Sequence, residues 1–227
     1  TITMNNASGP WTGAHTWTIR DNVATGSSTV SLDGATPQSF NGNVNGVVHV
    51  EGKVKALNGN GSSTADIEDN HQITISATSD VYVNDHITYE DNPTTDPNAE
   101  NILGIFSSGG NVLLSKTAPS NLNLHATVMA ASTNHGVGAQ DITTDGGSYD
   151  YNYGNKGDWN LLGGLIEDQN QTTGVFYSDG TTTGYRWNFT YDDRFTEGVA
   201  PPYFPYVSKF VVEMQGIDPG SWSRKYY

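Results

Sequence analysis

Short apolar pairs follow one another between residues 43 and 130, and Gly, Asn or Asp closes many of them. In runs such as Val-Tyr-Val-Asn (81–84) and Leu-Asn-Leu-His (122–125), the apolar side chains lie two positions apart. This spacing is typical of β-strands, in which successive side chains point to opposite faces. No stretch of this region has the period of an amphipathic helix. The chain is therefore predicted to be all-β.

The strands of this region fall into three loosely similar groups, spaced roughly 25–30 residues apart, which is within the range of solenoid repeats. Stacked coils of that length would satisfy their backbone hydrogen bonds from coil to coil. The spacing therefore predicts a parallel β-solenoid (β-helix), a stiff rod suited to reach, display and assembly. A β-sandwich also has short strands at regular spacing, and it remains the alternative fold.

We expect one folding unit with three parts. Residues 1–41 are predicted to form an N-terminal β-rich cap, because the open end of a β-stack is an edge that needs covering. Residues 42–190 form the β-solenoid and end in a hairpin closed around residues 178–180. Residues 191–227 form a C-terminal clamp along the outside, because its prolines cannot lie in a central strand.

Charge and cysteine content narrow the classes of function. The chain has 24 acidic against 10 basic residues, a formal net charge of −14, and no cysteine. Such a charge repels phosphate backbones, so nucleic-acid binding is disfavoured, whereas divalent cations or a basic partner fit better. Disulfides and thiol ligands are excluded. No apolar run is long enough to span a membrane. Because the first residue is Thr1 rather than Met, we expect any signal or anchor to lie upstream.

Two acidic segments, 61–71 and 90–101, interrupt the strand pattern and are predicted to be projecting loops. Their carboxylates are candidate calcium ligands, although neither segment follows a known calcium-loop pattern, and a solvated acidic loop is the commoner explanation. We predict no cofactor, with calcium as the one alternative. The candidate metal ligands are Asp66, Glu68, Asp69, Glu90, Asp91 and Asp96.

The aromatic segment 148–159 is the feature most typical of a sugar-binding surface, because tyrosine and tryptophan rings stack on sugar rings. Packing of an aromatic edge strand explains it equally well. The candidate binding residues are Tyr149, Tyr151, Tyr153 and Trp159, with Arg186 and Arg194 as candidate cations.

An enzyme remains an alternative because polysaccharide lyases and hydrolases are often β-helices and use paired carboxylates or an arginine base. The candidate groups are Glu167, Asp168, Arg186, Asp192, Asp193 and Arg194. For the segment 191–194, a structural turn is the favoured explanation, with Asp accepting backbone N–H groups and Arg194 paired to a carboxylate. No nucleophile elbow, phosphate loop or zinc-binding histidine spacing occurs. We therefore predict no catalytic residues.

Several strings in a fixed order resemble an uncharacterised bacterial family that is encoded among type IV pilus genes and described as PilX-like or pilus-assembly proteins. They are Val-Tyr-Val-Asn-Asp-His-Ile-Thr-Tyr-Glu-Asp (81–91), Leu-Leu-Gly-Gly-Leu-Ile (161–166), Gly-Tyr-Arg-Trp-Asn-Phe-Thr-Tyr-Asp-Asp-Arg-Phe (184–195), Pro-Pro-Tyr-Phe-Pro (201–205) and a late Trp222. The resemblance covers about residues 42–222. It implies a right-handed β-solenoid carried at the cell surface by a pilin-type anchor, as in large minor pilins linked to DNA uptake. The chain departs from that pattern in lacking a pilin N-terminal helix and in its acidic charge.

The functional hypothesis is a non-enzymatic extracellular module of a type IV pilus-associated or other cell-surface filament, acting in assembly, display or adhesion. Its partners would be other surface proteins or further copies of itself, contacted through the loops 61–72 and 90–101 and the aromatic segment. A polysaccharide-binding or polysaccharide-cleaving β-helix is the first alternative. DNA capture at a pilus tip through Arg186, Arg194 and Arg224 is the second.

Overall fold

The structure is a computed structural model in which the chain is described over most of its length. The described residues are 2–6, 13–22, 27–42, 46–60, 65–143, 149–150, 153–180 and 182–205. The predictions that concern Tyr151, Trp222, Arg224 and the end of the predicted clamp lie outside these residues. Among the described residues, no helix has the length and apolar content to cross a membrane.

The described residues form fifteen strands and one short 3₁₀ helix, Asp193–Glu197. The strands are β1 (Ile2–Asn6), β2 (Gly13–Asn22), β3 (Ser27–Leu32), β4 (Gln38–Asn41), β5 (Gly46–Val50), β6 (Gly52–Leu57), β7 (Gln72–Ala77), β8 (Val81–Val83), β9 (Ile102–Ser107), β10 (Val112–Leu114), β11 (Leu122–Ala130), β12 (Val137–Ala139), β13 (Asn155–Glu167), β14 (Gly174–Phe176) and β15 (Thr182–Tyr191).

The strands are divided between two sheets. One has eight strands in the order β12-β10-β8-β6-β1-β2-β3-β4, and the other has seven in the order β14-β15-β13-β11-β9-β7-β5. From β5 to β13, successive strands alternate between the sheets, and each pairs in parallel with the strand two places along the chain. The register steps from Gly46 to Ile73 and from Ile73 to Leu103.

The predicted right-handed parallel β-solenoid with an N-terminal cap is wrong, although the C-terminal hairpin expected around residues 178–180 is present as β14 and β15. The eight-stranded sheet is mixed, because β1 pairs antiparallel with β6 and β2, and β3 and β4 continue antiparallel beyond them. In the seven-stranded sheet, β14 is antiparallel to β15. The N-terminal strands thus lengthen one sheet at its edge instead of lying across the end of a stack. Over the described part of the chain, the two sheets do not close into a solenoid.

The core lies between the parallel parts of the two sheets and is built from alternate residues of each strand. In β11, for example, Leu122, Leu124, Ala126 and Val128 are buried, while Asn123 lies on the other face and is less buried. The facing strands β6, β8 and β10 contribute mainly valine and leucine. Short β-branched and leucine side chains allow the two sheets to pack closely.

The segment 192–205 lies against the outer face of the seven-stranded sheet. Pro201 and Phe204 pack over Gly104 in β9, where an added Cβ would lie 2.6 Å from the Phe204 ring and 2.8 Å from Pro201. The Thr74 hydroxyl donates a 2.6 Å hydrogen bond to the Pro202 carbonyl. A residue larger than glycine at position 104 would displace this segment.

Candidate functional site

Arg194 is buried and forms a clasp with Asp192 at the end of β15. Its Nε and Nη2 donate to the Asp192 carboxylate at 2.9 Å and 2.6 Å, and its Nη1 donates to the carbonyls of Ala99 and Asn101 at 2.7 Å and 3.1 Å. Asp192 also accepts the backbone N–H of Arg194 and so begins the 3₁₀ helix. The side chain is thus used in joining the end of β15 to the segment 99–101, which matches the structural turn considered from the sequence.

Arg186 forms a second arginine–aspartate pair, on the surface of β15. Its Nη2 lies 2.9 Å from Oδ1 of Asp158, on the neighbouring strand β13. Both described arginines suggested for DNA capture therefore face a carboxylate. Long-range attraction of a phosphate backbone by these two residues is correspondingly weakened.

Two of the carboxylates considered for catalysis, Glu167 and Asp168, accept backbone N–H groups. Glu167 accepts the N–H of Val137 at 2.7 Å, and Asp168 accepts the N–H of Asn134 at 2.8 Å. Burial raises the pKa of Glu167, and the hydrogen bond from Val137 opposes that shift. Asp193 is exposed beside the Asp192–Arg194 clasp. These groups connect loops to strands and do not converge on a common cleft.

The acidic candidate metal ligands also hold loops together. Asp66 accepts the N–H groups of Asn60 and Thr88, Asp69 accepts that of Glu100, and Glu90 accepts that of Asp69. Desolvation and the charges of Asp69, Asp96 and Glu90 raise the pKa of Asp91. Within the part of the chain that the structure describes, no three histidine, aspartate or glutamate side chains are grouped so as to hold a metal ion.

The described members of the predicted aromatic patch, Tyr149, Tyr153 and Trp159, are not brought together on the surface. Tyr149 is exposed, but Tyr153 is 5% exposed and Trp159 is fully buried in the core. Trp159 lies on the inward face of β13, where its ring packs edge-on against Trp187 and Phe189 of β15 at centroid distances of 6.4 Å and 4.9 Å. The exposed aromatic surface therefore lies on β15, the strand next to β13.

That surface, which we call the aromatic end face, consists of Trp187, Phe189 and Tyr191. Trp187 and Phe189 are stacked, with ring centroids 5.0 Å apart, and the register places them beside the core residues Trp159 and Leu161. The three rings are nevertheless 40–55% exposed. The rings are exposed because one sheet continues further than the other at this end of the molecule. The eight-stranded sheet ends at β12, and β14 pairs with β15, so no described strand lies opposite β15.

The backbone of β15 has an open edge along the same residues. The N–H groups of Gly184 and Asp192 donate to Gly154 and Gly163 on the side of β13, whereas that of Tyr185 donates to Thr173 on the opposite side. Because successive residues of a strand point their backbone groups to alternate sides, those of Trp187, Phe189 and Tyr191 point away from β13. Of the described strands, only β14 lies there, and it pairs with residues 182–184 alone.

The outer face of β15 is polar by contrast. Asn188 donates to the side chain of Asn160 at 2.6 Å, and Asn160 donates to Asn123 at 3.0 Å, forming an amide ladder across three parallel strands. The strand is thus amphipathic, although both of its faces are exposed. Sequence reasoning missed the aromatic end face; the alternation Trp-Asn-Phe-Thr-Tyr (187–191) was the available signal.

A cavity of about 600 Å³ lies at the opposite end of the molecule, where β2 faces β7 and β9. Its wall combines five isoleucines and two leucines with polar residues that include Arg20, Asp66, Glu68 and His71. This volume is within the range of small-molecule sites. The geometry thus offers two candidate sites, an association surface at β15 and a ligand cavity near β2.

Comparison with protein-family models, with curated proteins and with solved structures finds no match to this chain. The functional argument therefore rests on the geometry of these two places.

Proposed function

We propose that this protein is a non-enzymatic extracellular module of a cell-surface filament, acting in assembly, display or adhesion through the aromatic end face. The resemblance to pilus-associated proteins suggests the filament class. The observation that carries the proposal is the edge of β15, where the backbone groups of Trp187, Phe189 and Tyr191 pair with no described strand and the three side chains are exposed. Open, apolar strand edges are templates for pairing with another chain.

The opposite end of the molecule supports a second copy as the partner. There the seven-stranded sheet ends at β5, and the eight-stranded sheet continues through β1–β4. At the β15 end, the seven-stranded sheet continues through β15 and β14, whereas the eight-stranded sheet ends at β12. Pairing β5 of one copy with β15 of another would extend one sheet, and the projecting strands β1–β4 would cover the exposed rings. Such a head-to-tail contact uses two different surfaces and propagates into a filament.

Sedimentation velocity over a range of protein concentrations tests this proposal. We expect association that strengthens with ionic strength, because copies with a net charge of −14 repel one another at low salt. Phe189→Lys should abolish association by placing a charge among the rings. Thr190→Lys is the matched control, because it adds the same charge to the outer face of the same strand, and it should leave association unchanged.

Two results would contradict the proposal. One is a monomer at every concentration and salt condition. The other is association that appears only when residues 206–227 are deleted, because those residues rather than a second copy would then occupy the edge. Labelling of intact cells with an antibody to this chain tests the surface location.

Polysaccharide binding is the second candidate function, favoured by the same three exposed rings, which could stack on sugars. Binding to a glycan array that is lost in Phe189→Lys, in a protein that remains monomeric, would support this candidate over self-association. Turnover of a polysaccharide that Asp193→Asn abolishes would instead make the protein an enzyme.

A further inference from the structure

A third place, a small polar groove, lies on the outer face of the seven-stranded sheet. Its floor is made by β11, β13 and β15, where the register places Asn160 beside Asn188. Further along the same strands, Leu162 lies between His125 and Thr190 and forms the apolar part of the floor. This outer groove has a volume of about 160 Å³, so it suits one small ring and not a drug-sized ligand.

The wall of the outer groove belongs to the loop that follows Tyr89, and this loop is held at both ends. At its start, the N–H of Tyr89 donates to Nδ1 of His125 at 3.0 Å, which ties the loop to β11. At its end, the Arg194 clasp binds carbonyls of the segment 99–101. The groove is therefore formed before a ligand arrives, and binding costs little ordering.

His125 presents a fixed donor to the outer groove. Its Nδ1 accepts the N–H of Tyr89, and burial lowers the pKa of His125 to about 4, so the ring is neutral near neutral pH and carries its proton on Nε2. Nε2 is accessible and donates to no described residue. A ligand oxygen in the groove can therefore accept this N–H.

Three asparagines add further hydrogen-bonding groups. Asn160 and Asn188 each use one amide N–H in the ladder across the strands, and each amide has a second one. Oδ1 of Asn188 accepts no hydrogen bond from a described residue. On the wall, Oδ1 of Asn92 accepts the N–H and the hydroxyl of Thr94 at 2.9 Å and 2.8 Å, which leaves the amide N–H groups of Asn92 for a ligand.

We propose that the outer groove binds one pyranose ring of an uncharged sugar, with Leu162 beneath the ring and His125 and the amide groups bonding its oxygens. Sugar hydroxyls both donate and accept, as the amides do. None of the described residues that line the groove is Asp, Glu, Lys or Arg, so a charged ligand would lose hydration without gaining a partner of opposite charge.

The outer groove is separate from the aromatic end face, although both use β15. Asn188 and Thr190 alternate with Trp187, Phe189 and Tyr191, so the two sets of side chains point to opposite faces of the strand. Sugar binding at the groove therefore does not depend on self-association. A filament formed through the aromatic end face would carry one groove on each copy.

A two-dimensional NMR titration tests the proposal by following the side-chain amide signals of Asn160 and Asn188. The probes are the methyl glycosides of glucose, galactose and mannose, and N-acetylglucosamine. We expect at least one of them to shift these signals with a dissociation constant below about 10 mM. The amino sugar and the uronic acid of the same configuration are the matched charged ligands, and each should bind at least about tenfold more weakly.

Four variants locate the binding. Asn188→Asp replaces an N–H donor with a carboxylate and should weaken binding by at least about tenfold. Asn170→Asp adds the same charge at an exposed loop residue outside the groove and should not change it. Thr190→Lys crowds the groove and should abolish sugar binding while leaving self-association intact. Phe189→Lys should have the reverse effects.

Several results would overturn the proposal. One is the absence of shifts with every uncharged sugar up to about 50 mM. Another is a charged sugar that binds as tightly as its uncharged counterpart. Binding that survives in both Asn188→Asp and Thr190→Lys, or that Phe189→Lys abolishes, would place the sugar elsewhere. Binding that appears only when residues 206–227 are deleted would mean that the whole chain does not offer this groove to a sugar.

Discussion

Two arginine–aspartate pairs on β15 and its continuation have the same chemistry and different roles. In the Asp192–Arg194 pair the two side chains are 1% and 10% exposed, whereas in the Asp158–Arg186 pair they are 37% and 56% exposed. The buried pair also bonds two backbone carbonyls and the start of a helix. The exposed pair connects neighbouring strands. Burial, rather than residue type, decides which pair the fold depends on.

The largest effect is expected from Arg194→Met. This change leaves the Asp192 carboxylate buried without its cation and removes the donors to Ala99 and Asn101. The free energy of unfolding should fall by about 3–5 kcal/mol, measured by urea denaturation. A double variant, Asp192→Asn with Arg194→Met, removes the stranded charge and should be more stable than Arg194→Met alone. If the double variant is no more stable, the clasp is not electrostatic.

Acidification probes the neighbourhood of the buried clasp. His125 accepts the N–H of Tyr89 through Nδ1 at 3.0 Å, and burial lowers the pKa of His125 to about 4. An unfolded chain has a histidine pKa of about 6.5. Between these two values the unfolded state binds more protons, so stability is complete above about pH 6.5 and is lost as the pH falls towards 4.

We expect the free energy of unfolding to decrease by about 2–3 kcal/mol over this window, measured by urea denaturation at successive pH values. His125→Asn keeps an acceptor that does not titrate, and it should flatten the profile. His135→Asn, in a loop that follows β11, is the control and should keep the wild-type slope. An unchanged slope in His125→Asn would show that other groups cause the acid sensitivity.

The sequence predicted where strands form better than how they pair. Alternating apolar residues mark β8 and β11 correctly, because that alternation reflects one buried face. The pairing of Ile2 with Leu57, however, joins distant segments, and no local pattern specifies it. A β-strand edge accepts either parallel or antiparallel partners, so the N-terminal strands could not be assigned from their own residues.

The aromatic end face was harder to predict from the sequence than the strands were, for a related reason. Tyr149 and Trp159 have similar sequence surroundings, yet Trp159 is buried and Tyr149 is exposed. The inward-facing rings of Trp187 and Phe189 are exposed because the opposite sheet has ended, and that depends on β14 pairing with β15. The Arg194 clasp was partly predictable, because Tyr-Asp-Asp-Arg follows a strand and Asp commonly caps a turn.

A smaller effect is expected from Tyr89→Phe, close to the buried clasp. The Tyr89 hydroxyl accepts the N–H of Leu103 at 2.9 Å, at a point where the ladder between β9 and β11 has not yet begun, since it starts at Gly104. Removing the hydroxyl leaves that buried N–H unpaired. We expect a loss of about 1–3 kcal/mol in urea denaturation. Tyr203→Phe, at an exposed residue, is the control. Equal effects in the two variants would contradict the role of this hydrogen bond.

The smallest effect is expected from Arg186→Met, in the exposed pair. Both side chains of this pair are accessible to water, which screens their attraction and solvates Asp158 when the arginine is removed. The free energy of unfolding should change by less than about 1 kcal/mol in urea denaturation, and the change should shrink further at high salt. Because Arg194→Met removes the same functional group, the difference between the two variants measures what burial adds to an arginine–aspartate pair. A loss in Arg186→Met as large as that in Arg194→Met would mean that the exposed pair is also structural, and the distinction between the two pairs would fail.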